Sequence, residues 1–398
     1  MRLFNTQSGT LETLELREDP LGLYVCGVTP YDTTHAGHAF TYLTFDILIR
    51  YLDFLGQSVT YVQNVTDIDD DILRKAKELG MGWDELGERE THRFLTDMET
   101  LGWREPDYYV KATEHTPEMI DMILPLIEQG MAYESNRSVY FSVASDPEFG
   151  KLSHLPIAEM LPVANERGNI PDDPNKRDPL DFVLWQAAKP GEPTWDSPWG
   201  PGRPGWHIEC SAMAARYLGP SFTIHGAGSD LNFPHHECEI AQAENSTGVE
   251  PFVRHWVHVG MVGYEGEKMS KSLGNLILVS NELKQYSPDA FRLYLFSHHY
   301  RSPWEYIDGE IEDWQVIAQD LALSADLPST TGGPMLDSLR SRERFLAAMD
   351  EDLDTPTAIA TLVDLSQQIR QSSGESNVSG AQQTLRELGG ILGLALAG

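Results

Sequence analysis

The sequence predicts an α/β protein with a Rossmann-like parallel sheet, followed by a C-terminal α-helical bundle. An apolar segment, Leu21–Gly27, ends in glycine and precedes the helical pattern of Phe40–Leu55, which is followed by a second apolar segment, Val59–Val65. Strand, helix and strand in this order form a right-handed crossover between parallel strands. From about Glu305 onward the pattern is helical, with two polar interruptions. An α/β domain followed by helices is therefore expected.

Composition indicates a globular chain of two or three domains. The chain has 398 residues, of which 23% are charged and 41% apolar, both ordinary values. The formal net charge of −32 argues against a strong non-specific grip on nucleic acid. No signal peptide and no apolar run of spanning length is found, so a cytoplasmic protein without membrane association is expected. Three cysteines, Cys26, Cys210 and Cys238, indicate metal binding or catalysis rather than a disulfide framework.

The loop after the first strand carries two histidines, His35 and His38, at the start of the following helix. The free N–H groups and the dipole of a helix N-terminus favour phosphate, and in parallel sheets ligands bind beyond the strand ends. Two imidazoles at this position could hold the phosphates of ATP. A glycine turn beside an ordinary core histidine gives the same four letters, so the motif is weak when taken alone.

Further elements follow along the chain. The acidic run at 66–71 is interpreted as the start of a helix that continues through Ile72–Leu79, with Thr66 or Asp67 as its cap. The stretch Lys151–Lys189 is rich in proline and charge and is expected to be an irregular insertion. The other predicted elements are helices within 83–111, at Thr116–Gln129, after Gly205, from His235 and at Ala290–His299, and strands at Ser138–Val143, Phe222–Gly228 and His255–Gly263.

A lysine-rich segment far downstream, Lys268 to Ser272, reads Lys-Met-Ser-Lys-Ser. Together with the histidine motif, and in this order, it resembles the two signatures of class I aminoacyl-tRNA synthetases. The resemblance implies attack of an amino-acid carboxylate on ATP, which gives an aminoacyl adenylate and pyrophosphate. Lys268 and Lys271 would neutralise the leaving pyrophosphate. His35 and His38, on the opposite side of the ATP, are the other expected catalytic residues.

Four potential metal ligands stand at Cys26, Cys210, His235 and Glu239. His235 and Glu239 share one helix face, while the two cysteines are expected at a strand end and a helix start near the mouth of the sheet. Two thiolates, an imidazole and a carboxylate suit zinc. Such a metal would bind a substrate thiolate and refuse serine by its chemistry. The alternative is that both cysteines are core residues; Cys238 is interpreted as structural.

With these residues in view, the chain resembles the cysteinyl-tRNA synthetase family over nearly its whole length. The resemblance implies one zinc ion at the four residues above, Mg²⁺ with ATP, and cysteine contacts from Thr66 and Trp206, beside Cys26 and Thr29. The matching stretches are Tyr24–Asp46, Tyr61–Asp70, Lys176–Trp185, Gly205–Met213, Ile224–Gln242 and Lys268–Asn275. The ATP site is expected at Gly37, His225, Gly226, Gly228, Asp230, Lys268, Ser270, Lys271 and Ser272.

One branch of this family, the mycothiol-pathway cysteine ligases, passes cysteine to the amine of glucosaminyl-inositol. The segments that resemble this branch are Thr29–Asp32, Phe40–Asp46, Met261–Gly266 and Asp352–Pro356. Glu239, by contrast, is more typical of the tRNA enzymes. The tail from residue 309 has five arginines, no lysine and 14 acidic residues, a net charge of −9, which disfavours tRNA. The amino sugar is therefore the favoured acceptor and tRNA the alternative.

We expect a catalytic domain at 1–300 with an insertion at about 110–200, then a helical bundle at 301–398 without an anticodon-binding domain, in a monomer. A basic strip for tRNA would have to come from Arg254, Arg292 and Arg301. Two other classes stay open. An adenylyltransferase of the pantetheine or nucleotide type also uses a His-x-Gly-His turn but needs none of the metal ligands. An inactive synthetase paralogue would act only by binding a partner.

Overall fold

The computed structural model describes residues 1–16, 19–31, 34–269, 274–330 and 333–396, with the backbone alone for Lys268. The strands are β1 Arg2–Asn5, β2 Thr10–Thr13, β3 Leu21–Val25, β4 Val59–Val65, β5 Tyr108–Lys111, β6 Ala132–Ser135, β7 Ser138–Phe141, β8 Phe182–Ala187, β9 Gly202–Pro204, β10 Phe222–Gly228, β11 Val253–Val259, β12 Val262–Tyr264, β13 Glu267–Lys268 and β14 Trp304–Tyr306. The helices are α1 Ala36–Phe54, α2 Asp70–Leu79, α3 Trp83–Thr100, α4 Thr116–Glu128, α5 Ile157–Glu166, α6 Trp206–Leu218, α7 Glu237–Thr247, α8 Val279–Glu282, α9 Pro288–Phe296, α10 Glu310–Asp326, α11 Leu339–Asp350, α12 Thr355–Ser372 and α13 Ser379–Ile391.

A five-stranded parallel sheet in the order β11-β10-β3-β4-β5 forms the centre of the catalytic part. The α/β prediction is confirmed. The chain runs from β3 to β4 on one side, whereas β10 pairs with the other side of β3, so the strand order reverses between β3 and β10. Ligands of doubly wound sheets bind beyond the carboxyl ends of the strands at such a point. The fold thus directs a ligand to the loop that follows β3.

The helix caps explain how the chain enters α1 and α2. His35 caps α1, and its ring nitrogen Nδ1 accepts a hydrogen bond from the Gly37 amide at 3.2 Å. The predicted cap of α2 at Thr66 or Asp67 is wrong, because Asp69 takes this role and accepts from the Asp71 amide at 2.8 Å. The four residues after β4 are thereby left as a loop at the ligand-binding edge.

The insertion is more regular than expected. Strands β6 to β9 form a four-stranded antiparallel sheet, and α5 lies inside the stretch that was predicted to be irregular. Asp181 stabilises this sheet, since its buried carboxylate accepts from the Tyr133 hydroxyl at 2.6 Å and from the Val143 amide at 3.0 Å. Phe141 pairs with Phe182 across the two halves of the insertion, a contact between distant segments that local sequence patterns do not contain.

The C-terminal helices pack against α1 and α9 of the catalytic part. Arg292 of α9 is 1% exposed and forms an ion pair with the buried Asp46 of α1. It also donates to the carbonyls of Leu101 at 3.0 Å and Leu392 at 2.9 Å. Arg292 therefore joins α1, α9 and the end of the chain, and its predicted place in a basic surface strip is wrong. No helix within the described ranges is long and apolar enough to cross a membrane.

Replacing Arg292 by methionine should destabilise the fold by about 3 kcal/mol, because it leaves buried polar groups without their donor. The loss should stay near this value since Arg50 still pairs with Asp46 at 2.9 Å. Urea denaturation measures the change. The control is Arg344→Met, whose exposed pair with Asp364 should contribute less than about 1 kcal/mol. Equal losses in the two variants would contradict the role given to Arg292.

Candidate active site

A cavity of about 1080 Å³ opens at the carboxyl ends of β3, β4 and β10. It contains both the histidine pair and most of the potential metal ligands, together with the predicted cysteine contacts. Strand ends supply three walls, because Cys26 follows β3, Thr66 follows β4 and Gly228 ends β10. The predicted site residues that line it are Cys26, Thr29, His35, Gly37, His38, Thr66, Trp206, Cys210, Gly228, Asp230 and His235.

The histidine pair lies at one end of this cavity, at the start of α1. The rings of His35 and His38 stack with their centroids 3.7 Å apart. The chain that follows the lysine loop returns to the same place, since the Ala36 amide donates to the Ile277 carbonyl at 2.8 Å and the Val279 amide donates to the Thr34 carbonyl at 3.1 Å. The segment after residue 273 is therefore hydrogen-bonded to the histidine motif.

The lysine signature itself is described only in part. The backbone of Lys268 lies in β13, where it pairs with Gly263, and nothing is described of its side chain. Ser270, Lys271 and Ser272 lie outside the described residues. Their contacts with ATP therefore stay predictions from the sequence.

The four potential metal ligands converge, and three of them, Cys26, Cys210 and His235, line the cavity. One ligand atom from each of Cys26, Cys210, His235 and Glu239 lies within 4.8 Å of the others, and all four side chains are buried. The two sulfur atoms are 3.7 Å apart. Two thiolates on one tetrahedral zinc ion, each at about 2.3 Å from the metal, are expected about 3.8 Å apart. The donor set and its spacing thus fit zinc.

The contact between His235 and Glu239 supports the same interpretation. His235 Nε2 lies 3.0 Å from Glu239 Oε1, but it has no hydrogen-bond partner of good geometry among the described residues. Two ligands that point at a shared ion have this arrangement. The other ring nitrogen, Nδ1, lies 2.9 Å from Nδ1 of His207, the kind of outer contact that fixes the orientation of a ligating imidazole.

The cluster also has unusual proton affinities. Burial raises the Cys210 pKa, but contacts with Cys26 and His235 outweigh it and bring this pKa to about 6. Burial likewise opposes charge on Glu239, yet the neighbouring His225 and His235 lower its pKa to about 2. Against burial, Glu239 raises the pKa of His235 to about 10. A thiolate, a carboxylate and an imidazole therefore lie together in this buried site, where a divalent cation can stabilise the two negative charges.

Part of the predicted ATP site lies elsewhere. His225 is buried, and its Nε2 contacts Glu239 Oε2 at 3.0 Å, beneath the metal cluster and away from the cavity surface. Gly226 packs against α1, where an added Cβ would lie 2.0 Å from the ring of Phe45. Neither residue is among those that line the cavity, so their contacts with ATP stay predictions from the sequence. Asp230, further along the same loop, does line the cavity.

A second group of potential ligands overlaps the first. Cys26 and Glu239 also lie within reach of His225 and His236, and Cys26 Sγ is 3.3 Å from His236 Nε2. His225 and His236 are therefore direct neighbours of the potential metal ligands. Cys238 belongs to neither group and contributes only to the cavity wall.

Trp206 forms the wall between the metal cluster and the rest of the cavity. Its ring stacks on His235 with centroids 4.5 Å apart at 25°, which leaves its opposite face toward the interior of the cavity. Thr66 also lines the cavity, and its hydroxyl oxygen accepts a hydrogen bond from Asn64 Nδ2 at 3.2 Å.

Sequence reasoning missed Asn64. Its Oδ1 accepts from the Gly27 amide at 2.8 Å and lies 3.6 Å from Cys210 Sγ, while its Nδ2 reaches Thr66. The fully buried Asn64 amide thus connects Cys210, a potential metal ligand, with Thr66, a predicted cysteine contact. The available signal was a polar side chain inside β4, because central strands of parallel sheets are usually apolar throughout.

Fold and site together define the catalytic domain of a class I aminoacyl-tRNA synthetase. A family model for the class I (C) tRNA synthetase catalytic domain matches residues 12–316, and a DALR domain model matches residues 344–397. The chain belongs to the cysteinyl-tRNA synthetase family of cysteine-activating ligases.

Relatives with two different acceptors match the whole chain. A cysteine–tRNA ligase of Dehalococcoides mccartyi is 46% identical over 404 residues, covering 100% of this chain and 87% of the relative. An L-cysteine:1D-myo-inositol 2-amino-2-deoxy-alpha-D-glucopyranoside ligase of Thermomonospora curvata is 43% identical over 398 residues, covering 100% and 94%. The acceptor therefore does not follow from identity.

The same fold is seen in Mycobacterium tuberculosis methionyl-tRNA synthetase in complex with methionyl-adenylate. That structure superposes with a TM-score of 0.64 at 16% identity, covering 94% of this chain and 90% of the other. At this identity the likeness concerns the fold alone.

Proposed function

We propose that this protein uses ATP and cysteine to form cysteinyl-AMP and then transfers cysteine to the amine of glucosaminyl-inositol. The observation that carries the first half is the presence, in one cavity, of a stacked histidine pair at a helix start and a thiolate-rich metal cluster. The first group suits the phosphates of ATP. The second suits a thiol substrate.

Cys26, Cys210, His235 and Glu239 would hold zinc, which supplies a Lewis acid that binds the substrate as a thiolate. The protein groups around this position orient the amino acid. Trp206 covers one side and Thr66 the other, so that the carboxylate of cysteine extends toward the histidine pair. Serine binds a thiolate-selective position poorly, because its hydroxyl is hard and weakly acidic.

In the activation step the cysteine carboxylate attacks the α-phosphorus of ATP, carried with Mg²⁺, and pyrophosphate leaves. His35 and His38 stabilise the charge that develops on the phosphate oxygens. Lys268 and Lys271 are proposed to neutralise pyrophosphate from the opposite side, as the sequence signature implies. These groups do their work at one end of the cavity while the thiol is held at the other.

The charges at the cavity mouth favour a small acceptor over a polyanion. Arg74 forms ion pairs with Asp71 at 2.7 Å and Glu78 at 3.0 Å. Arg203 forms ion pairs with Asp70 and, at 3.2 Å, with Glu192. A tRNA end would have to break such pairs to gain phosphate contacts. An amino sugar carries no phosphate and has no such requirement.

The second candidate, transfer to tRNA, is favoured by two observations. Glu239 is the fourth potential metal ligand, and a glutamate at this position is more typical of the tRNA enzymes. A cysteine–tRNA ligase is also among the relatives, at 46% identity. Both acceptors share the activation chemistry, so the two candidates differ only in the transfer step.

Parallel steady-state assays with glucosaminyl-inositol and with cysteine-specific tRNA test the proposal. The expected result is formation of the cysteine amide of the amino sugar, with tRNA charging at least about 100-fold less efficient. ATP–pyrophosphate exchange with cysteine serves as the control, because activation needs neither acceptor. Rapid tRNA charging without turnover of the amino sugar would contradict the choice of acceptor and leave cysteine activation in place.

A further inference from the structure

One wall of the cavity is not used by the activation chemistry. It comes from β7 and the segment between β7 and β8, and the polar residues that line the cavity there are Tyr140, Glu166, Arg167, Asn169, Asp173 and Lys176. Neither the metal cluster nor the histidine pair includes any of these residues. This wall was not expected, because the segment was predicted to be irregular.

The wall spans both ends of the cavity. Arg167 donates to the carbonyls of Asp230 and Phe233 in the loop after β10, so that end adjoins the nucleotide side. Phe182, at the start of β8, lies edge-on to His207 with ring centroids 5.6 Å apart, and His207 contacts the potential ligand His235. A molecule lying along the wall would therefore face the region between the thiol position and the phosphate position, where the carbonyl carbon of the adenylate must lie.

Internal hydrogen bonds hold the polar side chains of this wall in place. Asn169 donates to Asn165 Oδ1 at 2.7 Å and to the Pro179 carbonyl at 3.1 Å. Asp173 accepts from the Tyr140 hydroxyl at 2.7 Å and from the Asn175 amide at 3.0 Å. A site whose side chains are fixed before binding loses little entropy when a ligand arrives.

The same side chains keep hydrogen-bonding capacity for a ligand. Lys176 has three N–H donors, and Asn169 Oδ1 is its hydrogen-bond partner among the described residues. The Asp173 oxygen that accepts from Tyr140 retains a lone pair. Burial lowers the pKa of Lys176 despite the neighbouring Asp173. Donors and acceptors thus alternate along the wall, which is the pattern that vicinal hydroxyl groups require.

We propose that this insertion wall, with Asn169, Asp173 and Lys176 at its centre, is the binding site for the hydroxyl groups of a small polyol amine acceptor. The inference rests on the proposed function and adds where the acceptor is held. The alternation of a carboxylate with the one ammonium group disfavours a phosphate chain, since Asp173 would repel it. Nη1 of Arg167 is already engaged with the carbonyls of Asp230 and Phe233, and Glu166 adds a second carboxylate to the lining.

The wall would orient the acceptor for the transfer step. The amine nitrogen forms a bond to the carbonyl carbon of cysteinyl-AMP, and the bond from that carbon to the phosphate oxygen breaks, its electron pair leaving with AMP. The nitrogen releases one proton to water. The wall residues bind and orient the acceptor and take no part in these bond changes, so they are positioning residues.

The test uses the full chain with its metal and the variants Lys176→Met and Asp173→Asn, assayed with glucosaminyl-inositol. Each should lower kcat/KM for the amino sugar by about 10- to 100-fold, mainly through KM, as expected for loss of a charged hydrogen bond to a substrate. The KM for cysteine and the rate of ATP–pyrophosphate exchange should stay unchanged. Transfer of cysteine to hydroxylamine, a nucleophile too small to need the wall, should also stay unchanged.

The matched controls are Lys189→Met and Asp172→Asn, which alter exposed residues of the insertion outside the cavity. Both should leave every rate unchanged. If Lys176→Met and Asp173→Asn bind the amino sugar normally, or lose exchange and acceptor turnover equally, the inference is wrong while the proposed function stands. If the wild-type protein charges tRNA and ignores the amino sugar, the choice of acceptor and this inference are both wrong.

Discussion

Replacing Cys210 by serine should remove the bound metal and abolish selective activation of cysteine. Cys210 contacts Cys26 at 3.7 Å between sulfur atoms and approaches His235, so a hydroxyl at this position offers a much poorer ligand. The zinc content measured by metal analysis should fall from about one ion per chain to nearly none. The kcat/KM for cysteine in ATP–pyrophosphate exchange should fall on the order of 1,000-fold, equivalent to about 4 kcal/mol of lost thiolate binding.

Cys238→Ser is the matched control for this experiment. Cys238 is equally buried but belongs to neither group of potential ligands. Its variant should keep its zinc and most of its activity. Glu239→Gln is the graded case, since thiolates dominate zinc affinity and the amide oxygen can still approach the ion. A Cys210→Ser protein with normal zinc content would contradict the assignment of the cluster.

Replacing His38 by alanine should lower the exchange rate on the order of 100- to 1,000-fold, the usual effect of removing one preorganised group that stabilises transition-state charge. His38 stacks on the capping His35 at the start of α1 and belongs to neither group of potential metal ligands. The KM for cysteine should therefore change little. The control is His92→Ala, which alters an exposed residue of α3 and should leave the exchange rate unchanged. Normal exchange in the His38 variant would show that the phosphates bind elsewhere.

The central sheet could be predicted because its signals are local. The β3-α1-β4 unit has short apolar strands, one helix of regular period and glycine at the ends, and the structure has the same order. The grouping of the four potential metal ligands was predicted in a different way from the sheet. Cys26 and Cys210 are far apart in the chain, and only their residue types, together with His235 and Glu239, suggested a common site. The structure supplies the distances that make it one.

The errors concern residues whose environment is created by distant segments. Arg292 was interpreted as a surface charge, but its ion-pair partner Asp46 lies in α1, far earlier in the chain. His225 was expected near ATP from the family resemblance, yet its buried ring contacts Glu239. The insertion sheet depends on the pairing of Phe141 with Phe182. None of these contacts has a signature in the neighbouring sequence.

ATP–pyrophosphate exchange with cysteine and with serine, each measured before and after removal of zinc, tests the proposal that a thiolate-selective metal position chooses the amino acid. Cysteine should support exchange at least about 10,000-fold more efficiently than serine, a ratio typical of sites that recognise a specific functional group. Removal of zinc should abolish the exchange with cysteine. Comparable exchange with serine, or an activity with cysteine that survives complete loss of zinc, would contradict it.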